Sequence, residues 1–441
     1  MSVEHEIQKL VDQGQLVEAA ELAKINAINS LQMASLIYSK MGQEIAIDMA
    51  KYCLKLDPYS AKLYGNLSFF LGCQLKYEEA LEAITKAVEI SPTAEFYYNK
   101  AILLSSLVRI DEAIECYEKG LELSPDTHVA KFNLGCLYML KGNYKKGLEL
   151  LEWRFEYDGM IKKFRERFDK PHWMGQSLTG KKLLVYNEQG MGDAIQHVRY
   201  LPQLKAKGAY LIGEFQEELV PILSGFFDSI VARSQDYNVE EKVSFPDHDY
   251  VVSFSSLTYL LNPKLKNKIK IPYIFAPKEN DFTVDKSKLN IGITWTGSSG
   301  NSGDINRSCP VRSFLPLSKI PNVQLHSLQK GSGKKDWNGK IVDLNEGIEE
   351  LNLIHWEDHL TDFGKTSQLL EQLDLVISVC TSVAHLSGSM GRPTFLILSK
   401  CHDQRWLLDS DTTPLYDTMK IFIQDKLGNW DSVIQEVILS L

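Results

Sequence analysis

The sequence predicts an α-helical solenoid over its first third, followed by an α/β region built on parallel sheets. Three observations carry that expectation. A four-residue pattern ending in Ala or Gly recurs as far as residue 147, its last four copies at intervals of 33 or 34 residues. Beyond residue 180 the apolar pattern changes to short runs bounded by glycine and turn residues. Two of those runs pass through a turn of small residues directly into a helical pattern.

The repeating pattern is Leu16-Val-Glu-Ala19, then Gln43-Glu-Ile-Ala46, Tyr77-Glu-Glu-Ala80, Ile110-Asp-Glu-Ala113 and Tyr144-Lys-Lys-Gly147. Twelve residues downstream of three of them stands a proline after a polar residue, at Asp57-Pro58, Ser91-Pro92 and Ser124-Pro125. Small-residue pairs such as Asn66-Leu67, Lys100-Ala101 and Leu134-Gly135 fall on the partner helix. The unit resembles the tetratricopeptide repeat, here about four copies and a partial, capping one at the N-terminus, over residues 1–157. The physics agrees: Ala or Gly lets antiparallel helices cross closely, and proline ends the second helix of each pair. The resemblance implies a concave face that binds a peptide or protein segment. A scaffold that only packs against the next domain fits the same residues.

Composition narrows the function classes. With 44% apolar and 24% charged residues the chain has the make-up of a globular protein. A formal charge of −9 gives no general attraction to nucleic acid or to an anionic membrane. No apolar run reaches the ~18 residues of a membrane span, and Met1–Glu6 lacks a secretory pattern, so a cytoplasmic protein is expected. Seven cysteines without Cys-x-x-Cys spacing read as reduced core thiols.

Residues 158–180 read as a linker, with Lys162, Lys163, Arg165, Arg167 and Lys170 as a solvated basic cluster. Strand-like runs follow at 182–188, 209–215, 229–232 and 249–254, with a helical stretch from Asp193 to Lys207. After a turn-rich segment, a second series begins at 289–295 and continues at 323–328, 373–379 and 394–398. These are two α/β halves, 181–285 and 286–441, each with a parallel sheet covered on both faces. Ligands bind such sheets at the carboxyl ends of the strands.

Two constellations fall at those ends. In Glu188-Gln-Gly-Met-Gly-Asp-Ala-Ile-Gln-His197, glycines form a tight strand-to-helix turn that backbone and ligand could share, and Asp193 stands at the helix start. Asp193 equally suits a helix cap. In Ser378-Val-Cys-Thr-Ser-Val-Ala-His385, the amides from Thr381 to Ala384 lack helical partners and sit at the positive end of the dipole. They make a site for a diphosphate without a metal, with a Ser/Thr cap as the bland reading. His355 with His359, Asp247 with Asp249, and Asp409 with Asp411 have spacings seen in metal sites, but none brings a third ligand; no metal is expected.

Together with Trp295-Thr-Gly297, Arg307-Ser308, Ser327-Leu-Gln-Lys-Gly331 and the Pro171-x-Trp173-x-Gly175 link, these stretches look like the bacterial tetratricopeptide-repeat glycosyltransferases. Their catalytic part is related to the lipopolysaccharide heptosyltransferases, and the resemblance covers essentially the whole chain. It implies a two-Rossmann fold of the GT-B type, with the acceptor on the first half and a nucleotide-sugar donor on the second. It implies inverting, metal-independent transfer with no cofactor, to a protein hydroxyl presented by the repeats. Asp193 maps onto the catalytic base, with His197 one helical turn along as the next candidate and Gln189, Gly190 and Gly192 in the acceptor-side loop. Thr381, Ser382 and Val383 map onto the donor-phosphate grip, to which position and charge add Ala384, His385, Gly297, Lys330 and Arg307. Where the related proteins usually read Asp-Thr, this chain has Cys380-Thr381, so an acidic side chain beside the donor is missing. A non-catalytic scaffold with a degenerate transferase half is the second reading, and a sugar transferase for lipopolysaccharide or another glycan the third.

Overall fold

The computed structural model describes residues 3–25, 43–234, 244–265, 269–297, 307–331, 334–337 and 340–441. Its internal contacts divide the chain into two compact units, Met1–Leu137 and Tyr138–Leu441.

The first unit is helical throughout its described residues. Helices Val3–Asp12, Leu16–Ile25, Gln43–Leu56, Ala61–Cys73, Tyr77–Ile90, Ala94–Ser106 and Ile110–Leu123 follow one another, and His128–Leu140 runs out of the unit. Each recurring four-residue pattern opens a helix, and Ala19, Ala46, Ala80 and Ala113 are wholly buried. Helices end at Leu56, Ile90 and Leu123, just before the Asp-Pro and Ser-Pro pairs, because the residue before proline avoids the helical region. A Cβ on Gly120 would stand 2.3 Å from the Tyr98 ring, and one on Gly65 2.8 Å from Phe96, so glycine is required at both crossings. The turns between paired helices reuse one left-handed position, occupied by Leu75 (φ 61°), Val108 (φ 60°) and, in the second unit, Gly142 (φ 71°). The link from the partial first repeat to the next, at 26–42, lies outside the described residues.

The sequence period carries the repeats to residue 157, whereas the compact units part at Leu137/Tyr138. The physical reason is Arg154. Only 4% of its side chain is exposed, and it pairs with Glu188 at 3.2 Å and donates to Ser253 and Ser256, which ties this segment to the α/β unit. In the basic linker Lys162, Lys163 and Lys170 are exposed as expected, but Arg167 turns inward. Arg167 bonds both oxygens of the fully buried Glu214 at 3.1 Å, and Trp173 is 2% exposed.

Two parallel sheets form the core of the second unit. Strands β1 (Lys182–Tyr186), β2 (Tyr210–Gln216), β3 (Ser229–Arg233) and β4 (Tyr250–Ser253) lie in the order β3-β2-β1-β4. Strands β5 (Leu289–Thr294), β6 (Val323–Ser327), β9 (Ile354–His355), β10 (Leu375–Ser378), β11 (Thr394–Leu398) and β12 (Met419–Ile423) lie in the order β12-β11-β10-β5-β6-β9. A short antiparallel pair, β7 (Lys334–Trp337) and β8 (Lys340–Asp343), stands apart. In both sheets the order reverses beside the first strand in sequence, at β1/β4 and at β5/β10, which leaves a crevice at the carboxyl ends.

Strands β9 and β12 and the β7–β8 pair lie outside the strand-like runs read from the sequence. The helix expected over Asp193–Lys207 is interrupted. It runs Met191–His197, becomes a 3-10 turn at Val198–Tyr200 and restarts at Leu201–Ala206, where Pro202 takes an early helical position that needs no N–H donor.

Candidate functional site

The site is built where the β1 and β10 turns meet. After β1 the chain turns through Gln189 and Gly190, and the Met191–His197 helix begins with Gly190 as its cap. Asn187 braces the turn by donating to the Gln189 carbonyl at 3.0 Å and to Gln216 at 2.9 Å. Beneath it the buried Glu188 carboxylate accepts from Ser253 at 2.6 Å as well as from Arg154. Burial pushes the Glu188 carboxyl up, and the Arg154 guanidinium and Ser253 hydroxyl pull against it.

Gly192 has a role other than close approach to a ligand. A Cβ there would lie 3.0 Å from the His385 ring and 3.3 Å from the Ser382 Cα, so this glycine lets the Met191–His197 helix abut the Ser382–Ser389 helix. Two sequence motifs separated by nearly two hundred residues are thereby brought into contact.

After β10, Thr381 caps the Ser382–Ser389 helix with extended backbone, and its hydroxyl meets Ser378 at 3.1 Å instead of bonding a helix amide. The first intrahelical bond is His385 N–H to the Thr381 carbonyl, so the amides of Ser382, Val383 and Ala384 precede it. The β5 turn is alongside. Val379 N–H donates to Thr294, and Gln329 accepts from the amides of Trp295 and Thr296 at 3.2 and 3.0 Å, which fixes the chain leading to Gly297.

Arg405, from the 3-10 turn Gln404–Trp406 after β11, joins these parts and had no motif to announce it. Its guanidinium pairs with Asp193 at 3.0 Å and with Asp403 at 2.7 Å, and also meets Gln196 and the His385 Nε2, each at 3.3 Å. Asp193 therefore does not cap its helix. Since arginine only donates, His385 Nε2 accepts, and His385 Nδ1–H donates to Tyr416 at 2.8 Å. Burial, reinforced by Arg405 and Arg199, holds His385 well below the usual histidine range. His197 is buried too and held down to about 4, chiefly by desolvation, with its Nδ1–H committed to the Asp193 carbonyl at 2.7 Å. Arg199 locks the floor by donating to the Leu415 carbonyl and the Tyr273 hydroxyl.

Cys380 is 8% exposed, and its sulfur accepts from the Trp406 indole at 3.1 Å. Burial and the nearby Asp403 push the thiol up, against the charges of Arg405 and Arg307. An acidic side chain thus stands beside Cys380 after all, contributed from a different strand end. Burial would raise the Asp403 carboxyl, but Arg405, its hydrogen bonds and Arg307 outweigh it and keep it below the carboxylate norm. Among the described residues Lys330 donates to the Thr361 carbonyl, at 3.5 Å, and makes no hydrogen bond or ion pair with Thr381–His385. Asp247 and Asp249 are taken up by Lys182 and Lys181. Among the described residues no group of three or more His, Cys, Asp or Glu is placed to hold a metal ion, and no helix is long and apolar enough to cross a membrane.

A tetratricopeptide-repeat model matches residues 94–127. The chain carries a tetratricopeptide repeat. Over 343 residues, 72% of its length, it is 23% identical to Protein FlbA of Caulobacter vibrioides, with 55% of that protein covered. A 59-residue stretch is 42% identical to Small glutamine-rich tetratricopeptide repeat-containing protein 2 of Mycosarcoma maydis, covering 13% of this chain and 17% of that one. The chain thus spans about half the length of the first relative and far less of the second. Solved structures similar to it include MamA, at 21% identity over 38% of this chain and 99% of that one, TM-score 0.30. YrrB, described as a tetratricopeptide-repeat protein with an unusual peptide-binding site, matches at 21% identity over 34% of this chain and 80% of that one, TM-score 0.30.

Proposed function

We propose that the chain is an inverting, metal-independent glycosyltransferase of the two-Rossmann type that moves a sugar from a nucleoside-diphosphate donor to a hydroxyl acceptor. The observation that carries the reading is the approach of Gly192 to Ser382. It brings the helix that carries Asp193 against the helix whose Ser382–Ala384 amides precede its first intrahelical bond, at the carboxyl ends of two parallel sheets. The strand orders support it, because each sheet reverses beside the strand that leads to the β5 turn or to the Gly-x-Gly turn. In this reading Asp193 takes the acceptor proton as the hydroxyl attacks the anomeric carbon, and the leaving diphosphate is met by helix amides and a guanidinium in place of a cation. Asp193 is preferred to His197 as the base in this reading, because one His197 nitrogen holds the Asp193 carbonyl and the other faces the Gln196 amide.

The repeats support a protein or peptide acceptor. Asn66, Asn99 and Asn133 recur 33 and 34 residues apart on the first helix of successive pairs and are each partly exposed, a periodic polar row suited to an extended segment, although the Asn133 amide already donates to the Tyr117 hydroxyl at 3.2 Å. A second reading, a repeat scaffold whose α/β unit binds nucleotide without chemistry, is favoured by the buried, hydrogen-bonded Cys380 where an acid is usual in the related enzymes.

The test is a screen of nucleoside diphosphates and nucleotide-sugars by thermal shift, followed by donor turnover with and without EDTA. A ligand at a hundredfold its Kd adds about 2.7 kcal/mol. Asp193→Asn is expected to lower turnover by roughly a hundredfold. Donor binding with no hydrolysis or transfer favours the scaffold; turnover that vanishes in EDTA and returns with magnesium removes the metal-independent mechanism.

A further inference from the structure

We propose that Arg405 couples donor binding to the freeing of the base: in the empty site it holds Asp193, and an arriving diphosphate takes the guanidinium and releases the carboxylate. The proposal rests on the glycosyltransferase reading above. Three features of the geometry point to it. First, Arg405 bonds one Asp193 oxygen directly, so the carboxylate that would accept a proton is already engaged when no ligand is present. Second, the same guanidinium is 3.3 Å from His385 Nε2, in the first turn of the helix whose early amides have no helical partner, so it borders the space a diphosphate would enter. Third, Arg405 does not depend on Asp193 for its position. Asp403 accepts from its Nε, its second terminal nitrogen and its backbone amide, at 2.7, 3.4 and 3.0 Å. The head can therefore exchange one partner while its anchor holds.

The electrostatics favour exchange. One guanidinium stands between two carboxylates, each partly exposed, and a diphosphate offers more negative charge than Asp193 in a shape that suits bidentate bonding. Once displaced, Asp193 keeps both oxygens for the acceptor O–H. The acceptor oxygen then bonds to the anomeric carbon, its proton passes to Asp193, and the carbon–oxygen bond to the diphosphate breaks with its electron pair. The new charge falls on the group Arg405 already holds. Donor before acceptor is the binding order this coupling imposes.

The experiment measures pyrophosphate and nucleoside-diphosphate affinity of the full-length chain by titration calorimetry, for wild type, Asp193→Asn, Arg405→Gln, Arg405→Lys and the Asp193→Asn/Arg405→Gln pair. Arg405→Gln is expected to weaken binding by about tenfold or more, as loss of a charge-assisted bond does. Asp193→Asn is expected to tighten it by roughly threefold or more, and that gain should vanish in the double variant, because the two residues share one interaction. Tightening that persists without Arg405 would mean simple charge repulsion by Asp193 and would overturn the coupling, as would unchanged affinity in Asp193→Asn. If Arg405→Gln does not fold, Asp193→Asn and Arg405→Lys still decide, since Lys keeps the charge but loses bidentate binding. Absence of binding by wild type sinks the glycosyltransferase reading itself; binding with no Arg405 effect sinks only this inference.

Discussion

The two units of this chain bury different things. Among the described residues of Met1–Leu137, Ser68 is the one buried polar side chain, whereas Tyr138–Leu441 buries Arg154, Glu188, Arg199, Glu214, Arg233, His197, His326, His385 and many uncharged polar groups. A stack of helix pairs meets its neighbours through apolar side chains and needs only small residues at the crossings. A sheet end that must hold a site cannot be apolar, so its charges are buried and each must be paired. The second unit therefore concentrates cost where the first spreads it.

The sharpest way to break this contrast is to unpair a buried charge. Arg154→Met leaves Glu188 without its cation and is expected to cost about 3–5 kcal/mol, the scale for breaking a buried pair. All seven tryptophans lie at or beyond residue 153, so urea unfolding followed by tryptophan fluorescence reads the second unit alone. Hydrogen exchange in helices 77–123 should be unchanged. A loss below about 1 kcal/mol, the range of exposed pairs, would show that water reaches Arg154.

Acid should distinguish the units next. Burial holds His197 and His326 down to about 4, and both are bonded as neutral rings: His326 donates from one nitrogen to Asn290 and accepts from Trp356 at the other. Between about pH 6.5 and 4 the unfolded chain binds protons that these rings refuse, so stability is full above that window and falls as pH drops through it. The tryptophan-monitored midpoint should decrease across the window. In His326→Gln the decrease should be smaller, and an identical decrease would remove His326 as a cause.

Within the repeats the expected effects are steric and smaller. Gly120→Ala puts a methyl into the Tyr98 ring and threatens the Tyr98 hydroxyl bond to the Ser124 carbonyl, with an expected loss of about 1–3 kcal/mol. Hydrogen exchange of helices 94–123 would read it. Smallest of all, Val108→Gly relieves a β-branched residue in a left-handed turn where the next repeat has Gly142, and should raise local stability by up to about 1 kcal/mol. A loss would mean that the partly buried Val108 side chain contributes more by packing than its backbone costs.

Sequence alone determined the local architecture. Ala80 and Ala113, the Ser-Pro stops and the glycine-bounded apolar runs act over a few residues through sterics and periodicity, so the helix pairs and most strands of both sheets were legible, as were the turns after β1 and β10. The short strand β9 and the Pro202 break were not, because two-residue pairing and a proline at a permitted helical position leave no periodic trace. Tertiary structure alone decided who meets whom. Nothing near Asp193 in sequence names Arg405, 212 positions away, as its partner, and nothing in a composition of basic residues says that Arg154 and Arg167 turn inward while Lys330 stays exposed. The physical reason is that helix and strand propensities are summed along the chain, whereas a charge settles where geometry supplies its counter-charge, and that geometry exists only after the sheets have formed.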